Sequence, residues 1–237
     1  MRRLFLSDVH LSPACPERTA HLARLLEAES PRAATVYILG DLFDYWIGPK
    51  HLALPDYAEA LRALRRVTGS GVRVVYLWGN RDLFLGRRFG EALGVETTPG
   101  PVRLVVGGRR VYLSHGDELC SRDRAARRAQ AIMRWAPIAA VYTRLPIALA
   151  TFLAQGYRRH SRLVTARKPR RRVALADEAV LAVFAAGADV IVCGHLHHAA
   201  RHIWRVGAEE KVLFALGDWS DGPSYLIEED GLWRLYG

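Results

Sequence analysis

Tyr37-Ile38-Leu39-Gly40-Asp41-Leu42-Phe43-Asp44 passes from an apolar run through a glycine to a pair of acids. The run 35–39 is short and apolar enough to be a buried strand, and Gly40 lets the chain turn sharply behind it. A carboxylate at such a turn has two oxygens and can bridge two cations, which an imidazole cannot do. The same pattern recurs four more times: Ser7-Asp8-Val9-His10 after 2–6, Gly79-Asn80-Arg81-Asp82 after 72–78, His115-Gly116-Asp117 after 109–114, and Gly194-His195-Leu196-His197 after 188–193. Each motif is predicted to sit in a loop at a strand end, where rigid strands fix the loop roots.

Between these runs, helical patterns are predicted at 17–29, 56–68, 84–93 and 174–186. A hairpin is predicted over 102–114, turning at Gly107-Gly108, with a further strand over 211–216 and a last pair near 223–236. Mixed strands and helices with a β-rich tail predict an α/β fold built on a two-sheet sandwich. Residues 121–172 differ, with no strand pattern and an Ala-, Leu-, Ile- and Phe-rich stretch from Trp135 to Tyr157, broken by Pro137, Arg144 and Pro146. They are expected to form a helical cap inserted into a single domain spanning 1–237.

Charge singles out the same segment. Fourteen Lys and Arg against Asp123 alone make 121–172 +13; with a whole-chain net of +10, the rest is −3. Such a patch attracts an anionic partner. Cys15, Cys120 and Cys193 are odd in number and form no Cys-X-X-Cys pair, which argues against a disulfide framework or a zinc ribbon and fits a reducing cytosol. Cys193 reads as a small core residue. No secretory signal and no spanning helix are expected.

The motifs offer two carboxylates (Asp8, Asp41), one carboxamide (Asn80) and four imidazoles (His10, His115, His195, His197), about what two adjacent divalent cations require. An oxygen and nitrogen set without thiolate suits Mn²⁺, Fe²⁺ or Zn²⁺. Asp44 is expected to orient a ligand. His21, His51, His160, His198 and His202 are expected to be solvated or packing residues.

The ordered array resembles the calcineurin-like metallophosphoesterases, over the chain outside 121–172. That resemblance implies a four-layer fold, two β-sheets flanked by helices. It also implies one metal on Asp8, His10, Asp41 and His197 and a second on Asp41, Asn80, His115 and His195, with Asp41 bridging. Within that family, Ser7 to Ser12, the run Tyr37 to Gly48, Gly79 to Asp82 and His115 to Cys120 resemble the UDP-2,3-diacylglucosamine hydrolases of lipid A biosynthesis.

The narrower resemblance implies cleavage of a pyrophosphate to lipid X and UMP, with Mn²⁺ as the usual metal. It implies a lipid-linked nucleotide substrate and a peripheral place on the cytoplasmic face of a Gram-negative inner membrane, against an acidic lipid surface. It makes Asp41, Asn80, Arg81 and His115 the catalytic set, and Asn80, Arg81, Asp123, Ser161, Thr165, Lys168 and His195 the substrate contacts. The chain departs from that pattern at Ala126, where an aromatic residue is usual, and at Thr165, where a longer polar residue is usual.

Arg81 stands where many relatives in the broad family carry a histidine suited to protonating an alkoxide. Arginine does not donate its proton usefully at neutral pH, but it grips phosphate oxygens and stabilises developing charge. That favours a leaving group needing little protonation, such as a phosphomonoester. The alternative is another metal-dependent phosphodiesterase, or a nucleotide or nucleic-acid phosphoesterase using the arginines along a phosphate backbone. The few aromatics in 121–172 speak against a base-stacking groove, so no nucleic-acid partner is expected.

Overall fold

The computed structural model describes residues 1–82, 85–120, 136–166 and 175–237; the side chains of 136, 137, 139 and 160–166 lie outside that description. In chain order the strands are β1 (Arg2–Leu6), β2 (Ala33–Ile38), β3 (Arg73–Leu77), β4 (Glu96–Thr98), β5 (Val102–Val106), β6 (Arg109–Ser114), β7 (Val190–His197), β8 (Ala200–Val206), β9 (Glu209–Gly217), β10 (Tyr225–Glu229) and β11 (Leu232–Tyr236). The helices are α1 (Pro16–Glu29), α2 (Ala58–Gly69), α3 (Gly86–Leu93), α4 (Ala136–Arg144), α5 (Ile147–Ala166) and α6 (Asp177–Ala185).

Two mixed sheets form, ordered β11-β10-β1-β2-β3-β4 and β5-β6-β7-β9-β8. β1 to β4 run parallel, as do β6, β7 and β9, while β10, β11, β5 and β8 pair antiparallel at the flanks. Side chains alternate faces along a strand, and both faces of the central strands are apolar. Phe5, Tyr37, Val75 and Leu77 meet Val111, Leu113, Val190, Val192 and Phe214 between the sheets. The intervening residues Leu4, Leu6, Val36, Ile38, Val74 and Tyr76 pack outward under α1, α2 and α3. On the far side Tyr112, Ile191, Cys193, Leu213 and Ala215 pack with Val180 and Phe184 of α6. The result is the four-layer helix–sheet–sheet–helix stack that the resemblance implies, and Cys193 is a core residue.

Several boundaries differ from expectation for local reasons. Pro137 lies within the helix described over Ala136–Arg144 rather than breaking it; the break falls at Leu145-Pro146. The 194–197 motif is not a loop beyond the strand. β7 runs on through His197, with a register shift between Cys193 and His197 that re-aims the histidines. β4 and β8 went unforeseen. Of the segment 121–172, the described residues form α4 and α5. Tyr45 and Ile47, in the loop after β2, pack against Ala150 and Ala154 of α5. Lys50 Nζ donates to the carbonyls of Arg144 (3.1 Å) and Leu145 (2.6 Å), satisfying acceptors at the end of α4. Among the described residues no helix is long and apolar enough to cross a membrane.

Candidate metal centre

The five motifs lie at the C-terminal ends of β1, β2, β3, β6 and β7, and they converge there. Their backbones approach so closely that side chains are excluded. A Cβ on Gly79 would lie 2.1 Å from Asp41 Oδ1, and one on Gly194 2.2 Å from Asp8 Oδ2. Asp8 (φ 53°), His10 (φ 52°), Asp41 (φ 53°), His195 (φ 70°) and His197 (φ 59°) all adopt the left-handed conformation, which non-glycine residues rarely take. Five such residues in one place mark a site whose surroundings hold it against local preference. Backbone bonds between motifs do part of that work: Asp8 N–H donates to the Gly40 carbonyl (3.2 Å), His10 N–H to that of Asp41 (3.1 Å) and Gly194 N–H to that of His115 (2.9 Å).

Two clusters result. In the first, His10 Nε2 and His197 Nε2 lie 3.2 Å apart. Asp8 Oδ1 is 3.6 Å from the former and 3.4 Å from the latter. In the second, His115 Nε2 and His195 Nδ1 lie 3.2 Å apart. Asn80 Nδ2 is 3.2 Å from His115 Nε2 and 2.8 Å from His195 Nδ1, and Asp41 Oδ2 is 3.7 Å from His115 Nε2. A half-turn of the Asn80 amide would present its carbonyl oxygen to the same place.

Ligand atoms of Asp8, His10 and His197 lie within 4.8 Å of one another, and so do those of Asp8, Asp41 and His115, so Asp8 belongs to both groups. All seven proposed metal residues are thus brought together. His51 is a buried packing residue, while His198 and His202 are solvated. Asp123 and Lys168 lie outside the described residues. Ser161 and Thr165 fall on α5, with side chains outside the description.

Fit to cations can be judged from the donors themselves. Asp8 and Asp41 are fully buried, and Asp8 Oδ1 and Asp41 Oδ2 accept no hydrogen bond among the described residues. Buried carboxylate oxygens without partners are costly. Facing imidazole nitrogens within 3.2 Å need a shared proton or a shared cation. The other Asp8 and Asp41 oxygens are engaged, accepting from His195 N–H (2.8 Å) and Arg81 N–H (2.9 Å), which aims Asp8 Oδ1 and Asp41 Oδ2 inward. His115 Nδ1 lies 2.9 Å from the Leu39 carbonyl; donation there leaves Nε2 as the ligating lone pair.

Electrostatics agree. Burial holds His10 well below its ordinary pKa, helped by the Arg81 charge, and brings His195 down to about 4, helped by His115. Both therefore present neutral nitrogens. Burial also pulls on His115, but Asp41, Asp8 and Asp117 outweigh it and raise that imidazole to about 9, so without a cation its Nε2 carries a proton that a cation among these carboxylates would replace. Burial would raise Asp8, yet the surrounding histidines, His197 foremost, hold it well below the usual carboxylate range. These residues fit divalent cations.

Arg81 reaches across the centre. Its Nε lies 3.1 Å from Asp41 Oδ2 and its Nη1 2.9 Å from His10 Nδ1. The same Nη1 donates to Asp44 Oδ1 at 3.0 Å. Asp44, expected to orient a ligand, accepts from Arg81 and also from Arg158, the latter donating from Nη2 at 2.5 Å. Sequence reasoning missed Arg158, one cation among many in the basic segment. It also missed Ser7, whose buried hydroxyl donates to the carbonyl of Leu39 at 3.1 Å and braces β1 against β2.

Residues 1–199 match the model of the family described as calcineurin-like phosphoesterase. A UDP-2,3-diacylglucosamine hydrolase of Aeromonas salmonicida is 34% identical, over 99% of this chain and 92% of its own. Proteins of the same name from Stenotrophomonas maltophilia (34% identical; 99% of this chain, 98% of theirs) and Nitrosococcus oceani (35% identical; 95% and 90%) are similarly related.

Proposed function

The chain belongs to the calcineurin-like phosphoesterase family, and from that premise we propose that it hydrolyses the pyrophosphate bond of UDP-2,3-diacylglucosamine in lipid A biosynthesis. The oxygen of water ends on one phosphorus, the bond from the bridging oxygen to that phosphorus breaks, and UMP and 2,3-diacylglucosamine 1-phosphate (lipid X) leave. The observation that carries a metal-dependent hydrolysis is the pair of buried carboxylate oxygens on Asp8 and Asp41 that accept no hydrogen bond among the described residues and lie amid four converging imidazoles. The substrate follows from relatives alike over nearly their whole length.

Asp8, His10, Asp41 and His197 would hold one divalent cation, and Asp41, Asn80, His115 and His195 the other. Such a pair supplies Lewis acidity at the phosphoryl oxygens and a nucleophile at neutral pH. We take the metal to be Mn²⁺, which oxygen and nitrogen donors suit. Arg81, beside Asn80 and facing Asp41, would grip the phosphate oxygens and offset charge on the departing phosphate without giving up a proton. Asn80, Arg81 and His195, with Asp123, Ser161, Thr165 and Lys168, would form the substrate contacts.

The segment 121–172 would serve as a helical cap within one domain of 1–237. Its α5 exposes Leu149, Phe152, Leu153 and Tyr157, and α4 exposes Val141. An apolar face on a basic segment supports peripheral binding to the acidic cytoplasmic surface of a Gram-negative inner membrane. The test is UMP release from UDP-2,3-diacylglucosamine in detergent with Mn²⁺. Release that a chelator abolishes and Mn²⁺ restores is expected. No release by metal-loaded protein that still cleaves a generic phosphodiester would overturn the substrate.

A further inference from the structure

We propose that Arg158 of α5 is a positioning residue for Arg81, acting through Asp44. The inference rests on the hydrolytic reading of the centre and deepens it: the insertion would aim a group that acts on phosphate, besides covering the site.

The geometry begins with the helix period. Ala150, Ala154 and Arg158 recur every fourth residue and share one face. Both alanines are buried against Tyr45 and Ile47, the loop that follows Asp44. Small side chains there let the helix lie close, and Arg158, 9% exposed, then reaches inward at the next turn. Its Nη2 meets the very oxygen, Asp44 Oδ1, that Arg81 Nη1 also contacts, at 2.5 Å and 3.0 Å respectively. Two guanidinium groups thus share one carboxylate oxygen, and the shorter bond belongs to Arg158.

That sharing has a consequence for Arg81. A lone arginine beside a carboxylate prefers the parallel two-bond pairing. Arg81 instead hydrogen-bonds Asp44 and His10 Nδ1 (2.9 Å) and holds its Nε in an ion pair with Asp41 Oδ2 at 3.1 Å. With Arg158 occupying Asp44, Arg81 keeps its orientation across the centre and its charge remains available to an incoming phosphate. Without Arg158, Arg81 turns toward Asp44 and away from Asp41.

The experiment compares Arg158→Met, Arg158→Lys, Asp44→Asn and the Asp44→Asn/Arg158→Met double variant, measuring kcat and KM for UMP release with Mn²⁺. Melting temperatures and the Arg81 Nε–Hε resonance of the metal-free proteins are followed in parallel. Arg158→Met should lower kcat about tenfold or more, the scale of a lost charge-assisted hydrogen bond. KM should change little, Lys should restore part of the loss, and the Arg81 resonance should shift. The double variant should be no slower than the slower single, because both act on one residue.

Penalties that multiply in the double variant would make Arg158 a direct substrate contact and overturn the inference. So would a lowered melting temperature with unchanged kcat and an unmoved Arg81 resonance, which would make it a staple of the helix. Wild-type protein that binds metal yet hydrolyses neither this substrate nor a simple phosphodiester would overturn the hydrolytic reading itself, and the inference with it.

Discussion

Gly79→Ala is the smallest change that should dismantle the centre while sparing the fold. Gly79 has no left-handed φ, so the methyl group is not refused by the backbone. It is refused by Asp41: the new Cβ would stand 2.1 Å from its Oδ1 and 2.4 Å from its backbone N. Real Cβ contacts essentially never fall under 3.0 Å, so the carboxylate must retreat by 0.9 Å and the amide by 0.6 Å, the differences from those distances. A rotamer change relieves the first contact but not the second. The Asp41 loop itself must move, and with it the Oδ1 that accepts from Arg81 N–H at 2.9 Å. Misplacing a catalytic constellation by ~1 Å costs about a hundredfold in rate. UMP release should therefore fall about a hundredfold, with weakened metal retention after dialysis, while the melting transition stays cooperative. A variant with metal content and rate within about threefold of wild type would refute the claim that this close approach sets Asp41.

Other consequences are open to simpler measurements. His51 is buried among Phe43, Tyr45, Trp46 and Tyr57 with neither ring nitrogen hydrogen-bonded among the described residues, and burial lowers its pKa from 6.5 to about 3. The unfolded chain takes up this proton below pH 6.5 and the folded one does not. Stability should thus fall with pH by up to ~1.4 kcal/mol per unit until about pH 3. Urea melts of His51→Leu across that window should show a flatter slope, and an equal slope would assign the effect to other groups. Gly156 lies inside α5 with no described residue within 4 Å of where a Cβ would be, so Gly156→Ala should raise stability by about 0.5–1 kcal/mol; a lower melting temperature would contradict that account of the helix. Phe152 is 71% exposed on the apolar face of α5. Replacing Leu149 and Phe152 by Ser should weaken sedimentation with anionic vesicles about tenfold or more and leave the melting temperature unchanged. Undiminished vesicle binding would place the lipid-contacting surface elsewhere.

The strands and their terminal motifs were legible because both signals are local. An apolar run such as 188–193 declares a buried strand, and a glycine beside Asp or His declares a turn that carries a ligand. Asp41, His115 and His195, each beside a glycine at a strand end, were singled out in the chain for that reason. β8 could not: Ala-Arg-His-Ile-Trp-Arg-Val lies at a sheet edge, mostly exposed, so its polar residues mask the strand. β4 is three residues long and mostly polar. The continuation of β7 through His197 depends on its pairing with β9, a contact between distant segments. Arg158 carried no signal of its own, because its partner Asp44 is 114 positions away and many other cations surround it in the sequence. The left-handed φ values of the motif residues are likewise a product of convergence rather than of local preference.

The central claim is that five separate motifs build one centre for two adjacent cations. Electron paramagnetic resonance of protein titrated with Mn²⁺ tests it most directly. The account predicts an exchange-coupled spectrum that saturates at two metals per chain and disappears in Asp41→Ala. A spectrum of isolated, uncoupled Mn²⁺ at every stoichiometry, indifferent to Asp41, would contradict it.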